Sequence, residues 1–340
     1  MNTFRPATLL PFFGAVSALL IPAAAMALTI NVSPGVSSAT IQTDLNSIGA
    51  AGGGTLNFAS GTYAITSTES IGSNTTVNGA GSGKTILQGP STGYTWPILQ
   101  VNGNGLENVT IQQLTVDGNI SSSWANNTSN PYVNQSGILW TCSTYLGSGN
   151  CDVNNVEVKN CSVGMSAANI DGITVYYCAV HDCGMWVRAS LWQHDLYFNA
   201  CSYVTINDSN FYDSWEGSGI HLDTTTGNGT NWIVENCGWI ANNAELGINI
   251  QSGVPNVTIS NNYISGNGFG AVYDSNTTAW DGLGYTTAAG GLITGNTSLN
   301  NKGYGIHVWA GSGSITNNTA TGNGLGNYLI GGSWTESNNN

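Results

Sequence analysis

Positive charge is what this 340-residue sequence has least of: five Lys and Arg stand against 18 Asp and Glu, for a formal net charge of −13. Affinity for nucleic acid rests on basic side chains neutralising phosphates, so a nucleic-acid partner is excluded. The same imbalance repels any polyanion unless a cation mediates the contact. Charged residues of both signs make up only 7% of the chain while Gly reaches 46, a composition that taken alone suggests disorder. The 11 Trp and a β-branched periodicity point the other way, because they supply apolar surface for an extended core. Long apolar runs are scarce too. Beyond residue 27 no segment is apolar enough to span a bilayer, so no membrane span is expected.

Residues 1–27 are the exception. Arg5, an apolar stretch from Leu9 to Ile21 and the run Ala23-Ala24-Ala25-Met26-Ala27 predict a secretory signal peptide ending in an A-x-A cleavage site. The stretch is too short for an anchor, and Pro11 and Pro22 interrupt it. Residues 28–340 are then expected as one exported domain, extracellular or periplasmic. Seven Cys in that setting permit disulfides and leave an odd thiol. Cys142 and Cys151 bracket a Gly/Ser loop and are the best local pair. Cys161, Cys178 and Cys237 stand three residues past Val158, Val175 and Val234, where other segments carry Ser209, Asn262, Asn296 and Asn318. These Cys are expected in a buried stack rather than a metal site, since no zinc spacing is present.

What the chain does have is repetition. Gly219-Ile220-His221-Leu222-Asp223 returns as Gly247-Ile248-Asn249-Ile250-Gln251, as Gly270-Ala271-Val272-Tyr273-Asp274 and as Gly305-Ile306-His307-Val308-Trp309. Gly184-Met185-Trp186-Val187-Arg188 fits the same frame, and Gly326 to Ile330 closes the series loosely. A second strand-like phrase with an Asn or Cys turn precedes the copies, as in Val257-Thr258-Ile259-Ser260-Asn261-Asn262. Irregular repeats of roughly two dozen residues made of short strands and Gly/Asn turns predict a solenoid. Thr40 to Ile48 reads as a short amphipathic helix with Ile41, Leu45 and Ile48 on one face. Placed there, it would cover the open strand edge at the solenoid's start.

The run from Ala39 to Leu87 carries that helix, a GG-x-hydrophobic strand, a GTY turn and the phrase NGAGSGKT. It resembles the opening of pectate-lyase-superfamily proteins, most closely the rhamnogalacturonase/epimerase type, and later coils such as NVTISNNYISGNGFGAV fit the same superfamily. The resemblance implies an all-β fold, a single-stranded right-handed parallel β-helix with a short N-terminal capping helix. It does not choose a reaction, because that superfamily includes hydrolases, lyases, epimerases and non-catalytic surface proteins. The N-T-D, D-D, G-H-G and R-I-K runs of polygalacturonase-type hydrolases are missing, and so is the D-P-H motif of alginate epimerases. Pectate lyases set a basic residue beside calcium-binding acids, and only Arg188 suits that part.

Strand geometry is a better filter than motif matching. Side chains alternate, so Ile220 and Leu222 should point into the core while His221 and Asp223 point out. The core is expected to hold Ile248, Ile250, Ile306 and Val308 by the same rule. Two outward columns follow: Trp186, His221, Asn249, Val272, His307, and beside it Arg188, Asp223, Gln251, Asp274, Trp309. They gather scarce titratable residues, and in many members of the resembled superfamily this strand floors a sugar-binding groove. The groove's lip would carry Asp182, Trp215, Glu216, Glu245 and Lys302. Three longer insertions bring further groups: residues 119–136 with Trp124 and Tyr132, 191–202 with Trp192, His194 and Asp195, and 275–290 with Trp280, Asp281 and Tyr285.

These columns predict a secreted glycoside hydrolase acting on a polysaccharide substrate. Neighbouring strands lie about 4.8 Å apart, so Asp223 and Asp274, separated by one coil, should stand roughly 9.6 Å apart. Inverting glycosidases place their carboxyls about 6.5–9.5 Å apart, and retaining ones about 5–5.5 Å, which Asp223 could meet with Glu245 or Glu216. The expected catalytic set is Asp223, Asp274, Glu245 and Glu216. Substrate contacts are assigned to His221, Arg188, Trp186, Asn249, Gln251, His307, Trp309, Trp215, Lys302, His194 and Asp195, with no cofactor or metal. The alternative is a polyuronate lyase or epimerase in which Arg188 or His221 takes the sugar C5 proton and the acids bind Ca²⁺. A non-catalytic glycan-binding or adhesin-like β-helix is the third reading.

Overall fold

The computed structural model describes residues 27–91, 94–120, 135–144, 147–184, 193–224, 229–251, 254–269, 280–286 and 290–340. The predicted signal segment lies outside them except for Ala27. Every strand pairing among the described residues is parallel, as in Ile220↔Ile248 and Ile248↔Leu283. A full coil lays down a strand on each of three faces. Thr230–Glu235, Trp239–Ala241 and Ile248–Ile250 form one such coil, and Val257–Ser260, Tyr263–Ser265 and Leu283–Thr286 form the next. The first two faces merge into a 20-stranded sheet and the third is a separate 10-stranded sheet. Stacked coils bury one continuous core that contains Ile220, Leu222, Ile248, Ile250, Ile306 and Val308, as the alternation required. Each such side chain contributes about 2 kcal/mol by leaving water.

The helix runs from Ser38 to Ala50, and Ile41, Leu45 and Ile48 are the apolar side chains on its buried face. The Ser37 hydroxyl accepts from the Thr40 N–H at 3.1 Å and caps its first turn. One rung precedes it that the sequence pattern did not announce. Leu28–Val32 pairs with Gly54–Phe58, and the helix lies across this end of the solenoid.

Two internal ladders explain the repeated phrases. At the corner between the first and second faces, the Asn262 side-chain amide donates to the Val234 carbonyl and to Asn296 Oδ1. Asn296 does the same to Ile259 and Asn318, and Asn318 to Ile293 and Asn339. Cys178, Ser209 and Cys237 continue this ladder towards the N-terminus through Ser209 Oγ and Asn262 Oδ1. At the second corner Asn243, Asn267, Asn301 and Asn323 form a matching ladder. The chain enters these corners through left-handed residues such as Asn236, Asn242, Asn261 and Asn300, a conformation Asn tolerates better than most. The second ladder also dictates the glycine that opens each third-face strand. A Cβ at Gly219 would stand 2.6 Å from Asn243 Nδ2, and one at Gly305 would stand 2.5 Å from Asn323 Nδ2.

Three expectations are corrected here. All seven Cys are buried thiols and none is in a disulfide, so the Cys142–Cys151 bridge is not formed. Cys151 points into the core between Val109 and Ile173, whereas Cys142 lies on the third face and donates to Asn104 Oδ1 at 2.6 Å. Cys161 does not share a column with Cys178 and Cys237. Val158 pairs with Val180, not Val175, so Cys161 stacks with Cys183 at the second corner. The repeat frame also slips at two coils. The strand that follows Ile248–Ile250 on the third face is Leu283–Thr286, opened by Gly282 rather than Gly270. The strand that precedes Ile220–Asp223 is Leu196–Asn199, not the segment at Gly184. Residues 191–202, read as an insertion, therefore contain a rung of the helix.

Candidate active site

On three consecutive coils of the third face, the outward side chains form a polar array two residues wide. Tyr197 pairs in register with His221 and His221 with Asn249, while Asn199 pairs with Asp223 and Gln251 ends the second column. Rungs of parallel sheet lie about 4.8 Å apart, and alternate residues of one strand are about 6.6 Å apart. These groups face away from the apolar core, but they are not washed by solvent. His221 is 4% exposed, Asp223 2% and Asn249 3%.

A hydrogen-bond relay fixes the state of His221. The backbone N–H of Ser218 donates to His194 Nδ1 at 2.9 Å, so the His194 proton must sit on Nε2. That nitrogen lies 2.7 Å from His221 Nδ1, which therefore accepts. The neutral His221 ring is left with its proton on Nε2. Burial drives the His221 pKa down to about 4, against the opposing influence of Asp223 and Gln251, and the ring is neutral at ordinary pH. Among the described residues none gives His221 Nε2, Asp223 Oδ1 or Asn249 Oδ1 a hydrogen bond of acceptable geometry, and all three atoms are buried. The Tyr197 ring lies 5.1 Å from that of His221, and its hydroxyl accepts from Asn199 Nδ2 at 3.1 Å. Burial and the Asp223 charge hold the Tyr197 phenol well above its usual range, so it keeps its proton. Gly217 is needed beneath the relay, because a side chain there would strike the Gln193 carbonyl and His194.

The remaining predicted site residues fall into several places. Glu245 lies at the lip, where the Ser218 hydroxyl donates to Oε2 at 3.5 Å, so one serine touches both it and the relay. Glu216 and Trp215 follow the Ser214 corner, Glu216 half-buried and Trp215 exposed. Asp195 is fully buried beside Cys183, and burial above all pushes its carboxyl far above the normal range. It is thus a neutral group outside the array. Lys302 sits in the turn before Tyr304–Ala310, its N–H bonded to the Asn267 carbonyl. Trp186, Arg188 and Asp274 lie outside the described residues. The column positions assigned to Trp186 and Arg188 are taken by Tyr197 and Asn199, and the one assigned to Val272 by Gly284. The coil arithmetic that paired Asp223 with Asp274 is lost with that frame.

A second group stands farther along the same face. His307 pairs in register with Gly284, which pairs in turn with Asn249. His307 Nδ1 is 2.8 Å from Asp281 Oδ2, and Asp281 Oδ1 accepts from the Tyr304 N–H at 2.7 Å. Trp309 is 42% exposed, and its ring centroid lies 4.3 Å from that of His307. Tyr197 and Asn199 escaped the sequence reading, although Leu196-Tyr197-Phe198-Asn199 has the same in–out alternation as Ile220–Asp223. The missing signal was the opening glycine, since Asp195 stands where other copies have one.

Residues 196–340 match a family model described as right handed beta helix region. No curated protein matches the chain. Among solved structures, ORF18 of Geobacillus virus E2 superposes with a TM-score of 0.64 at 17% identity, covering 92% of this chain and 60% of that one. The periplasmic alginate epimerase AlgG, in a point-mutant form, gives 0.56 at 12% identity over 92% of this chain and 77% of its own. An alginate lyase from Paenibacillus sp. str. FPU-7 gives 0.53 at 16% identity, over 92% and 99%. The chain thus has the right-handed parallel β-helix fold. At these identities the likeness is one of fold, and the chain spans only 60% of the viral protein.

Proposed function

We propose that this protein is an exported, polysaccharide-active enzyme that binds its substrate along the third face and works on it at the Tyr197–His221–Asp223–Asn249 array. The observation that carries this reading is the trio His221 Nε2, Asp223 Oδ1 and Asn249 Oδ1, buried polar atoms on adjacent strands that no described residue pairs. A buried polar group without a partner costs about 1–3 kcal/mol, so three together make sense as contacts kept for a ligand rich in hydroxyls. The solved β-helices named as alginate lyase and alginate epimerase support a glycan substrate.

The chemistry of the array favours proton abstraction over hydrolysis. Neutral imidazole is too weak an acid to protonate a glycosidic oxygen, and a hydrolase would need a second carboxyl paired with Asp223. A neutral Nε2–H is suited to donating to a substrate carboxylate as charge grows on it. In this reading Asp223 takes the C5 proton of a uronic acid residue. His221 Nε2–H and the Tyr197 hydroxyl meet the charge that builds on the carboxylate. In elimination the C4–O bond then breaks, a C4–C5 double bond forms and Tyr197 gives its proton to the departing oxygen. In epimerisation the C4–O bond stays intact, Asp223 keeps the proton it took, and Tyr197 gives its own proton to C5 from the opposite face.

The test is a panel of alginate, polygalacturonate and neutral glycans, with and without added Ca²⁺ and over a range of salt, because the −13 charge opposes a polyanion. Absorbance from an unsaturated uronide, or an inverted C5 without cleavage, is the expected result. New reducing ends without that absorbance would replace elimination with hydrolysis.

A further inference from the structure

We infer that Trp309, held by His307 and Asp281 and seated over Gly284, is a sugar-stacking subsite next to the catalytic array. The inference rests on the polysaccharide reading of the third face and adds to it the place where the glycan is gripped. Four observations converge. The register between Leu283–Thr286 and Tyr304–Ala310 skips at Trp309: Tyr285 faces Val308, but Thr286 faces Ala310. Trp309 is therefore the extra residue of a β-bulge, a device that re-aims one side chain out of the pleat. Its indole leans back across the preceding coil, where a Cβ on Gly284 would stand 2.7 Å from Trp309 Cη2 and would also overlap Leu246. In the outward column that reads Tyr197, His221, Asn249, the next position is this glycine, and it makes room for the ring.

The ring is fixed from below. Asp281 binds His307 Nδ1, and the Tyr304 N–H binds the other oxygen of Asp281, so the imidazole against which Trp309 packs cannot swing. Asp281 is 5% exposed, whereas Trp309 is 42% exposed. A large aromatic side chain left this open usually costs solubility, and here a bulge, a glycine and a buried hydrogen-bond partner all serve to hold it in place. A pyranose has an apolar face of C–H groups, and an indole is its natural counterpart. Gly284 is one rung from Asn249, so a glycan running along the solenoid axis would meet Trp309 immediately beyond the array.

The experiment is affinity electrophoresis of the full chain in gels containing alginate, polygalacturonate, xylan or β-glucan, with Trp309→Ala, Trp309→Phe and Gly284→Ala beside the parent. For the polysaccharide that retards the parent, Trp309→Ala should weaken retention about tenfold or more, as loss of an anchoring Trp does elsewhere. Trp309→Phe should recover part of it. Gly284→Ala should weaken it without removing the indole, because the new methyl displaces the ring. Melting temperatures check that each variant is folded, and the product-length pattern of any active substrate should shift in Trp309→Ala. Retention and product pattern equal to the parent in Trp309→Ala would overturn the subsite and leave the reading of the array standing. A parent that no polysaccharide retards would overturn both.

Discussion

His221 shows how a backbone decides the chemistry of a side chain. The Ser218 N–H fixes the proton on His194, and His194 in turn fixes it on His221. Replacing His194 by Ala should lower turnover by about a hundredfold or more, because His221 is then free to take the other tautomer. The pH profile separates this from simple loss of fold. In the parent, His221 should stay neutral until pH falls to about 4. The acid limb of activity belongs there, and in His194→Ala it should move. The sign for stability runs opposite to that of an ion-paired His. Its folded pKa lies below the ordinary 6.5, so the unfolded chain binds the extra proton and stability falls as pH drops from about 6.5 towards 4. Trp309 and His307 were legible as outward residues from alternation alone. Tyr197 was not, because Asp195 removes the glycine that marks its sister strands.

At the scale of the repeating element, the asparagine ladders contribute more than their hydrogen-bond count suggests. Asn296 accepts from the backbone and side chain of Asn262 and donates to Ile259 and Asn318. Asn296→Ala should therefore destabilise by about 3 kcal/mol or more, since several buried groups lose their partners together. Urea unfolding of the purified variant measures it. Asn317→Ala, at the exposed turn next to the ladder, should cost much less. The sequence showed that Cys and Asn alternate at matched positions and that the position is buried. It did not show that two corners exist. Val158 and Val175 look alike as apolar residues three before a Cys, yet they lie on different faces, and only pairing between coils tells them apart. The shift from Asn to Cys also changes the physics, since Cys183 fills its corner with a buried thiol that sits beside the Cys161 thiol and reaches the His181 and Val158 carbonyls at 3.2 and 3.9 Å.

For the whole molecule, the fold was readable because each level agreed with the next: helix cap, strand alternation and turn asparagines all specify one solenoid. The register was harder, because coils differ in length from 21 to 42 residues, as the spacing of ladder partners records. A constant period would have prevented the slip at Gly270. One network on the exterior makes the stability of the stack depend on pH. Glu157 bonds Thr115, Lys159 and His181, and His181 also bonds Asp182 at 2.7 Å. Burial lowers the His181 pKa, but the bonds to Asp182 and Glu157 outweigh it and raise the value to about 9. The hydrogen bond from His181 leads those that hold Glu157 down at about 2. The His181 contribution is therefore complete below about pH 6.5 and lost as pH rises through 9, while that of Glu157 is present above about 4.5 and lost towards 2. The melting-temperature gap between parent and His181→Ala should be widest near pH 5–6 and narrow by pH 9.5, which thermal melts across that range would measure.

The paired corners have a further consequence for how such a chain can change. Asn262 and Asn267, Asn296 and Asn301, Asn318 and Asn323 are each five positions apart, and all but Asn323 are tied to the coil after them. A residue inserted between them would shear two ladders at once. The excursions that make coils unequal leave instead at the borders of the third face, as between Ser265 and Leu283, where strand pairing resumes in register whatever the detour. New sequence can thus be tried beside the array without disturbing the stack beneath it. Such a fold separates inheritance from invention: the corners keep time, and the margins of one face are where a lineage is free to experiment with what it grips.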